Sequence, residues 1–149
     1  MPTAGYALWT SADPRCARFA GEERMKSIRL LVVEDEFLIR LLLAEALRDE
    51  GFEVIEAADG EQAVSLIDGP DGFDGLLTDV QMPGSTDGIR VVAHIRQRQP
   101  DVPVIVVSAM PSNAQRLARL DPRGIFVAKP YDLGFLVKTL RQMLDAKDA

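Results

Sequence analysis

Four short apolar runs constrain this chain more than any other feature, because each stops at a polar residue of a particular kind. Leu76-Leu77-Thr78 leads to Asp79, and Pro83 soon afterwards bars continuation as a central strand. Ile28–Val33 stops at Glu34-Asp35, Val104–Val107 at Ser108, and Ile125–Ala128 at Lys129-Pro130. A charged residue marks where many strands meet water, so one such end means little. Four in one chain, in the order acid pair, acid, hydroxyl, amine, imply that the strand ends gather at one place. In a parallel sheet the carboxyl ends lie on a common edge.

The intervening segments read as helices. From Glu36 to Asp49 the spacing predicts a helix with Leu38, Leu41, Leu42 and Ala46 on its inner stripe, stopped by Gly51. Phe52–Ala57 reads as a strand whose Glu53 and Glu56 suit a sheet edge. Asp59 is placed to cap a short helix running to Asp68, ahead of Gly69-Pro70. After the strand Phe73–Thr78, Asp87 is placed to cap a helix carrying Ile89, Val92, Ala93 and Ile95, with His94 on its outer face and Gly88 serving the entry. Ser112 is expected to cap a weaker helix containing Leu117 and Ala118. Asp132 is expected to cap a final helix, where Leu133, Leu136, Val137, Leu140 and Leu144 follow helical spacing. Five strand–helix units imply an α/β fold, a flavodoxin-like doubly wound parallel sheet with strand order 2-1-3-4-5. Its switch point lies between strands one and three, whose ends carry Glu34-Asp35 and Asp79.

Composition closes off other classes. A chain of 149 residues suits one domain, and its net charge of -6 opposes nonspecific binding to nucleic acid or anionic membrane. No apolar run is long enough to span a bilayer. One cysteine, Cys16, and one histidine, His94, cannot build a zinc cluster, and a cytoplasmic setting is the expectation. Residues 1–27 lack periodicity and a signal-peptide core. They are expected to be either a genuine flexible or helical arm or the product of a start assigned too early, with Met25 the true start. The domain proper then spans residues 28–147.

Carboxylates converging in a crevice repel one another, and a hard divalent cation relieves that repulsion. All-oxygen ligation without histidine or thiol suits Mg²⁺, which favours a phosphate oxygen among its ligands. Ser108 offers a hydroxyl and Lys129 a compact positive charge, both suited to a phosphoryl group. A carboxylate can itself be the nucleophile, forming an aspartyl phosphate.

Glu34-Asp35, Asp79 followed by Met82-Pro83 and Asp87-Gly88, Ser108-Ala109 and Lys129-Pro130 together resemble the receiver domain of bacterial two-component response regulators. The resemblance covers Ile28 to Leu144, and the full set in order is specific where each element alone is weak. It implies Asp79 as phosphoacceptor and Asp35 as a direct Mg²⁺ ligand. It gives Glu34 a role on the metal through water, and the backbone carbonyl of Gln81 a place as a further ligand. It makes Lys129 the partner of the phosphoryl group, and Ser108 and Phe126 the switch residues. It also implies a histidine kinase or histidine phosphotransfer protein as donor and a downstream protein target or a second copy as output; the net charge of -6 adds the expectation of no nucleic-acid or membrane partner. Three departures stand out: Glu34 in place of the usual aspartate, a Met82–Gly88 loop one residue longer than usual, and a slightly short Ser108–Lys129 spacing.

Other readings share parts of this pattern. A phosphorylation-independent interaction module would not need all five polar residues. A hydrolase of the haloacid-dehalogenase type places a second acid two residues after its nucleophile, where this chain has Gln81. A receiver cut from a hybrid histidine kinase would carry the same motifs. The leading expectation is a signalling phosphoacceptor and not an enzyme. Because residues 1–24 offer no apolar stripe to bury, their deletion should leave the thermal midpoint unchanged within about a degree. A loss of several degrees in a melting curve would show that the arm packs on the domain.

Overall fold

Strands that are apolar on both sides need cover on both faces, and this chain supplies it. The computed structural model describes residues 27–148, so the expectations for the N-terminal arm and Met25 lie outside the described residues. The order is β1 (Arg29–Val33), α1 (Phe37–Asp49), β2 (Glu53–Ala57), α2 (Gly60–Ile67), β3 (Gly75–Asp79), α3 (Gly88–Arg98), β4 (Val104–Ser108), α4 (Ser112–Leu120), β5 (Ile125–Ala128) and α5 (Leu133–Asp148). All strand pairs are parallel, and the sheet runs β2-β1-β3-β4-β5, the expected order. Among the described residues no helix is long and apolar enough to cross a membrane.

Side chains alternate across the sheet, so each strand feeds two cores. Leu31, Val33, Leu76, Val104 and Val106 pack with residues of α2, α3 and α4. Leu30, Val32, Leu77, Ile105 and Val107 pack with residues of α1 and α5. The caps at Asp59, Asp87 and Asp132 form as expected, accepting from the backbone N–H of Gln62, Arg90 and Phe135.

Several expectations are corrected. The inner face of α1 is Leu43, Ala44 and Leu47, with Ile39 packed beside them; Leu38, Leu41 and Leu42 are exposed and Ala46 is half-buried. The helix has leucines on nearly every side, so periodicity could not choose a face; contact with α5 and the sheet did. Ser112 does not cap α4. Pro111 occupies the cap position in a helical conformation and makes no side-chain cap bond. The N–H of Met110 is met instead by Ser108 Oγ. On α3, Val91 is buried where Ala93 is only half-buried. His94 keeps its expected place toward the surface of α3, where its ring nitrogen lies 2.7 Å from Asp68 Oδ1 and links α3 to the end of α2. Urea unfolding should register the corrected α1 face. Leu47→Ala should cost about 3 kcal/mol and Leu38→Ala under about 0.5 kcal/mol.

Candidate functional site

Three carboxylates meet at the carboxyl edge, and strand pairing brings them there. The Glu34 N–H donates to the Ala57 carbonyl at 3.1 Å, carrying the β1–β2 ladder one residue past the strand. Asp79 is the last residue of β3, beside β1. Lys129 follows β5, and its N–H donates to the Ser108 carbonyl at 2.9 Å. By pleat alternation Glu34, Asp79 and Lys129 all fall on the α1/α5 side. Glu34, Asp35 and Asp79 each offer an oxygen within 4.8 Å of the others. Glu34 is 2% exposed, whereas Asp35 faces solvent.

Positive charge and N–H groups hold this cluster together. Lys129 Nζ donates to Asp79 Oδ2 at 3.0 Å and lies 3.8 Å from Glu34 Oε1. Val80 N–H donates to Asp79 Oδ1 at 2.8 Å, so both oxygens of that carboxylate are oriented. Burial, a hydrogen bond shared with Asp79 and the Asp79 charge push the Glu34 carboxyl up to about 8, against the pull of Lys129. Burial draws the Lys129 amine down, but the bond and charge of Asp79 outweigh it and hold the amine above its ordinary value. All donors are oxygens, and the cluster is short of positive charge; both properties fit a hard divalent cation.

The remaining sequence-derived candidates sit around this cluster rather than in it. Ser108 is buried at the end of β4, and its Oγ accepts from Met110 N–H and Asn113 Nδ2. Phe126 is half-buried against the core beneath α4. Gln81 is exposed, and its side-chain amide donates to the Met110 sulfur. Gly88 is explained by close approach: a Cβ there would overlap the Asp79 carbonyl, against which α3 begins. Sequence reasoning missed Tyr131. It packs in the α1/α5 layer beside Glu34 and Lys129, and burial, with help from the Glu34 charge, lifts its phenol above the ordinary value. Its position two residues after Lys129 was the available signal. Also missed was an apolar groove of about 500 Å³ beside Lys129, lined by Ile39, Leu42, Pro130, Tyr131 and Leu133. Phe37 and Leu38, 63% and 70% exposed, extend the apolar surface of α1.

Comparisons with known proteins identify the family and the fold. A family model for the response regulator receiver domain matches residues 30–141. The transcriptional regulatory protein TcrA of Mycobacterium tuberculosis is 39% identical over 121 residues, covering 80% of this chain and 47% of its own length. The chain spans about half the length of the curated relatives it matches. A response regulator receiver protein from Sinorhizobium medicae superposes with a TM-score of 0.76 at 26% identity, covering 82% of this chain and 98% of that one. The response regulator TrrA of Thermotoga maritima, solved in complex with Mg(2+)-BeF, gives a TM-score of 0.67 at 30% identity, covering 78% and 98%.

The raised Glu34 pKa sets a pH dependence. In the unfolded chain Glu34 ionises near 4.5; in the fold it keeps its proton to about 8. Between those values the folded state binds the extra proton, so this contribution to stability falls as pH rises. The metal-free protein should lose thermal stability from about pH 5 to about pH 8, and Glu34→Gln should remove most of that slope. Equal slopes for the two proteins would count against the buried acid.

Proposed function

The chain belongs to the response regulator receiver family, and on that premise we propose that it is a phosphoacceptor in a two-component phosphorelay. Asp79 takes a phosphoryl group from a histidine kinase or histidine phosphotransfer protein, and the phosphorylated domain signals by binding a protein. The observation that carries this reading is the Asp79 carboxylate, held at one oxygen by Lys129 and at the other by Val80 N–H, against two further acids.

The chemistry follows from these positions. A carboxylate oxygen of Asp79 attacks the donor phosphorus, and the phosphorus–nitrogen bond of the phosphohistidine breaks. The imidazole leaves with the bonding pair, and an acyl phosphate remains on Asp79. Lys129 stays beside the oxygens that gain charge. Glu34, Asp35, Asp79 and the Gln81 carbonyl would hold Mg²⁺, which supplies charge neutralisation for the incoming phosphoryl group. A cation there would favour the ionised form of Glu34, whose carboxyl is otherwise held up to about 8. Ser108 and Phe126 respond to the new phosphoryl group, and the altered surface around α4, β5 and α5 meets a downstream protein or a second copy. The domain turns over only its own acyl phosphate and is not an enzyme for a separate substrate.

Two features favour a protein donor over nucleic acid or a membrane surface. The apolar surface of Phe37, Leu38 and the Pro130–Tyr131 groove borders the acids, as expected where another protein seats its reactive group. The net charge of -6 disfavours direct contact with nucleic acid or anionic membrane.

Intact-mass measurement tests the reading. Acetyl phosphate with Mg²⁺ should add one phosphoryl group to the wild type and none to Asp79→Asn, and Asp35→Ala should weaken Mg²⁺ binding at least about tenfold with the fold intact. Equal labelling of Asp79→Asn would refute the assignment.

A further inference from the structure

The Ser108 hydroxyl is held by two donors, and both belong to the entry of α4. Met110 N–H lies 3.0 Å from Oγ and Asn113 Nδ2 lies 2.9 Å from it. A hydroxyl oxygen has two lone pairs, so both are taken. Asn113 is 3% exposed, and its side chain is fixed from its other end. Its Oδ1 accepts from Arg116 Nη1 at 3.0 Å, and Arg116 Nη2 donates to Asp87 Oδ2 at 2.9 Å. Asp87 is the cap of α3, and its Oδ1 accepts from Arg90 N–H. The direction of this relay is determined. A guanidinium only donates, so the Asn113 oxygen must face it and the amide NH₂ must face Ser108.

We propose that Asn113 is a positioning residue that holds the Ser108 hydroxyl on α4 in the unphosphorylated domain, with Arg116 fixing which end of its amide faces the serine. The proposal rests on the phosphoacceptor reading above. By pleat alternation Ser108 lies on the α4 side of the sheet, whereas Asp79 and Lys129 lie on the α1/α5 side. For Ser108 to serve a phosphoryl oxygen on Asp79, its hydroxyl has to shift from the α4 entry toward the acid pocket, which strains or breaks the Asn113 bond. The strength of that bond therefore sets how readily the phosphorylated arrangement forms.

Beryllofluoride with Mg²⁺, a phosphoryl mimic, reads this balance without covalent chemistry. Asn113→Ala should bind it roughly three- to tenfold more tightly than wild type, the effect of one neutral buried hydrogen bond. Arg116→Ala removes a half-exposed partner and should give about a twofold gain in the same direction, with nothing further in the Asn113→Ala background. In a Ser108→Ala background Asn113→Ala should have no effect, because its only route is through the serine. A structural role for Asn113 would not disappear with Ser108. Arg116 lies on the surface, so its variant folds and keeps the test open if Asn113→Ala does not. Affinities at or below wild type in both variants overturn the relay, as does an equal gain in the Ser108→Ala background. If wild type binds neither the mimic nor a phosphoryl group from acetyl phosphate, the relay and the phosphoacceptor reading both fall. A labelled wild type with unresponsive variants overturns the relay alone.

Discussion

Crowded negative charge at the carboxyl edge is the constraint on which the rest of the site depends. Three carboxylate oxygens lie within 4.8 Å of one another, and one carboxylate belongs to a residue that is almost wholly buried. Two devices make this tolerable in the folded domain. Lys129 places its ammonium between Asp79 and Glu34, and Glu34 retains its proton up to about 8. Neither removes the repulsion once Glu34 ionises, so the pocket gains most from an added cation. The same arrangement thus favours a cation in the pocket, which is the charge condition that the proposed phosphoryl transfer requires.

The pleat of the sheet divides chemistry from response. Glu34, Asp79 and Lys129 point into the layer of α1 and α5, where the apolar groove also opens. Ser108 bonds to α4, and Phe126 packs in the layer of α2, α3 and α4. Neighbouring strand ends β3 and β4 are therefore one residue out of phase, and the serine is the point where one layer meets the other. In the proposed phosphoacceptor role, phosphoryl transfer therefore takes place in the α1/α5 layer, whereas the serine that answers it is bonded in the α4 layer.

The sequence made the strand ends legible because they combine two independent signals, a short apolar run and a chemically distinct stop. Strand order followed from handedness and alternation, and the caps at Asp59, Asp87 and Asp132 followed from side-chain chemistry at fixed offsets. The inner face of α1 was not legible, since a stretch with leucine in nearly every direction has no unique stripe. The cap of α4 was misread because Pro111 continues the chain into the helix and leaves Ser112 nothing to cap. Asn113 and Arg116 were invisible for a different reason. A buried amide and a half-exposed guanidinium gain meaning only from partners at Ser108 and Asp87, which periodicity does not pair. Tyr131 lay in plain view two residues past Lys129, yet its significance comes from packing against the acids.

The two loops beside Asp79 are anchored with unequal strength, and this gives the response a direction. Glu61 Oε1 accepts from Ser85 N–H and Thr86 N–H at 3.0 and 3.1 Å and from the Ser85 hydroxyl, tying the β3–α3 loop to α2 through a charged acceptor. Arg90 holds the Ser85 carbonyl from α3. Gly60 and Gly88 let both helices close on backbone that any Cβ would strike, at Thr86 and at Asp79. The β4–α4 loop has no comparable ionic anchor on Ser108, whose hydroxyl is met by two neutral donors. Hydrogen bonds to charged groups are roughly twice as strong as neutral ones. New charge placed on Asp79 therefore meets a stiff wall on the α3 side and a yielding one on the α4 side. Because Glu61 anchors the Met82–Gly88 loop, the rearrangement of the proposed phosphoacceptor role goes through Ser108.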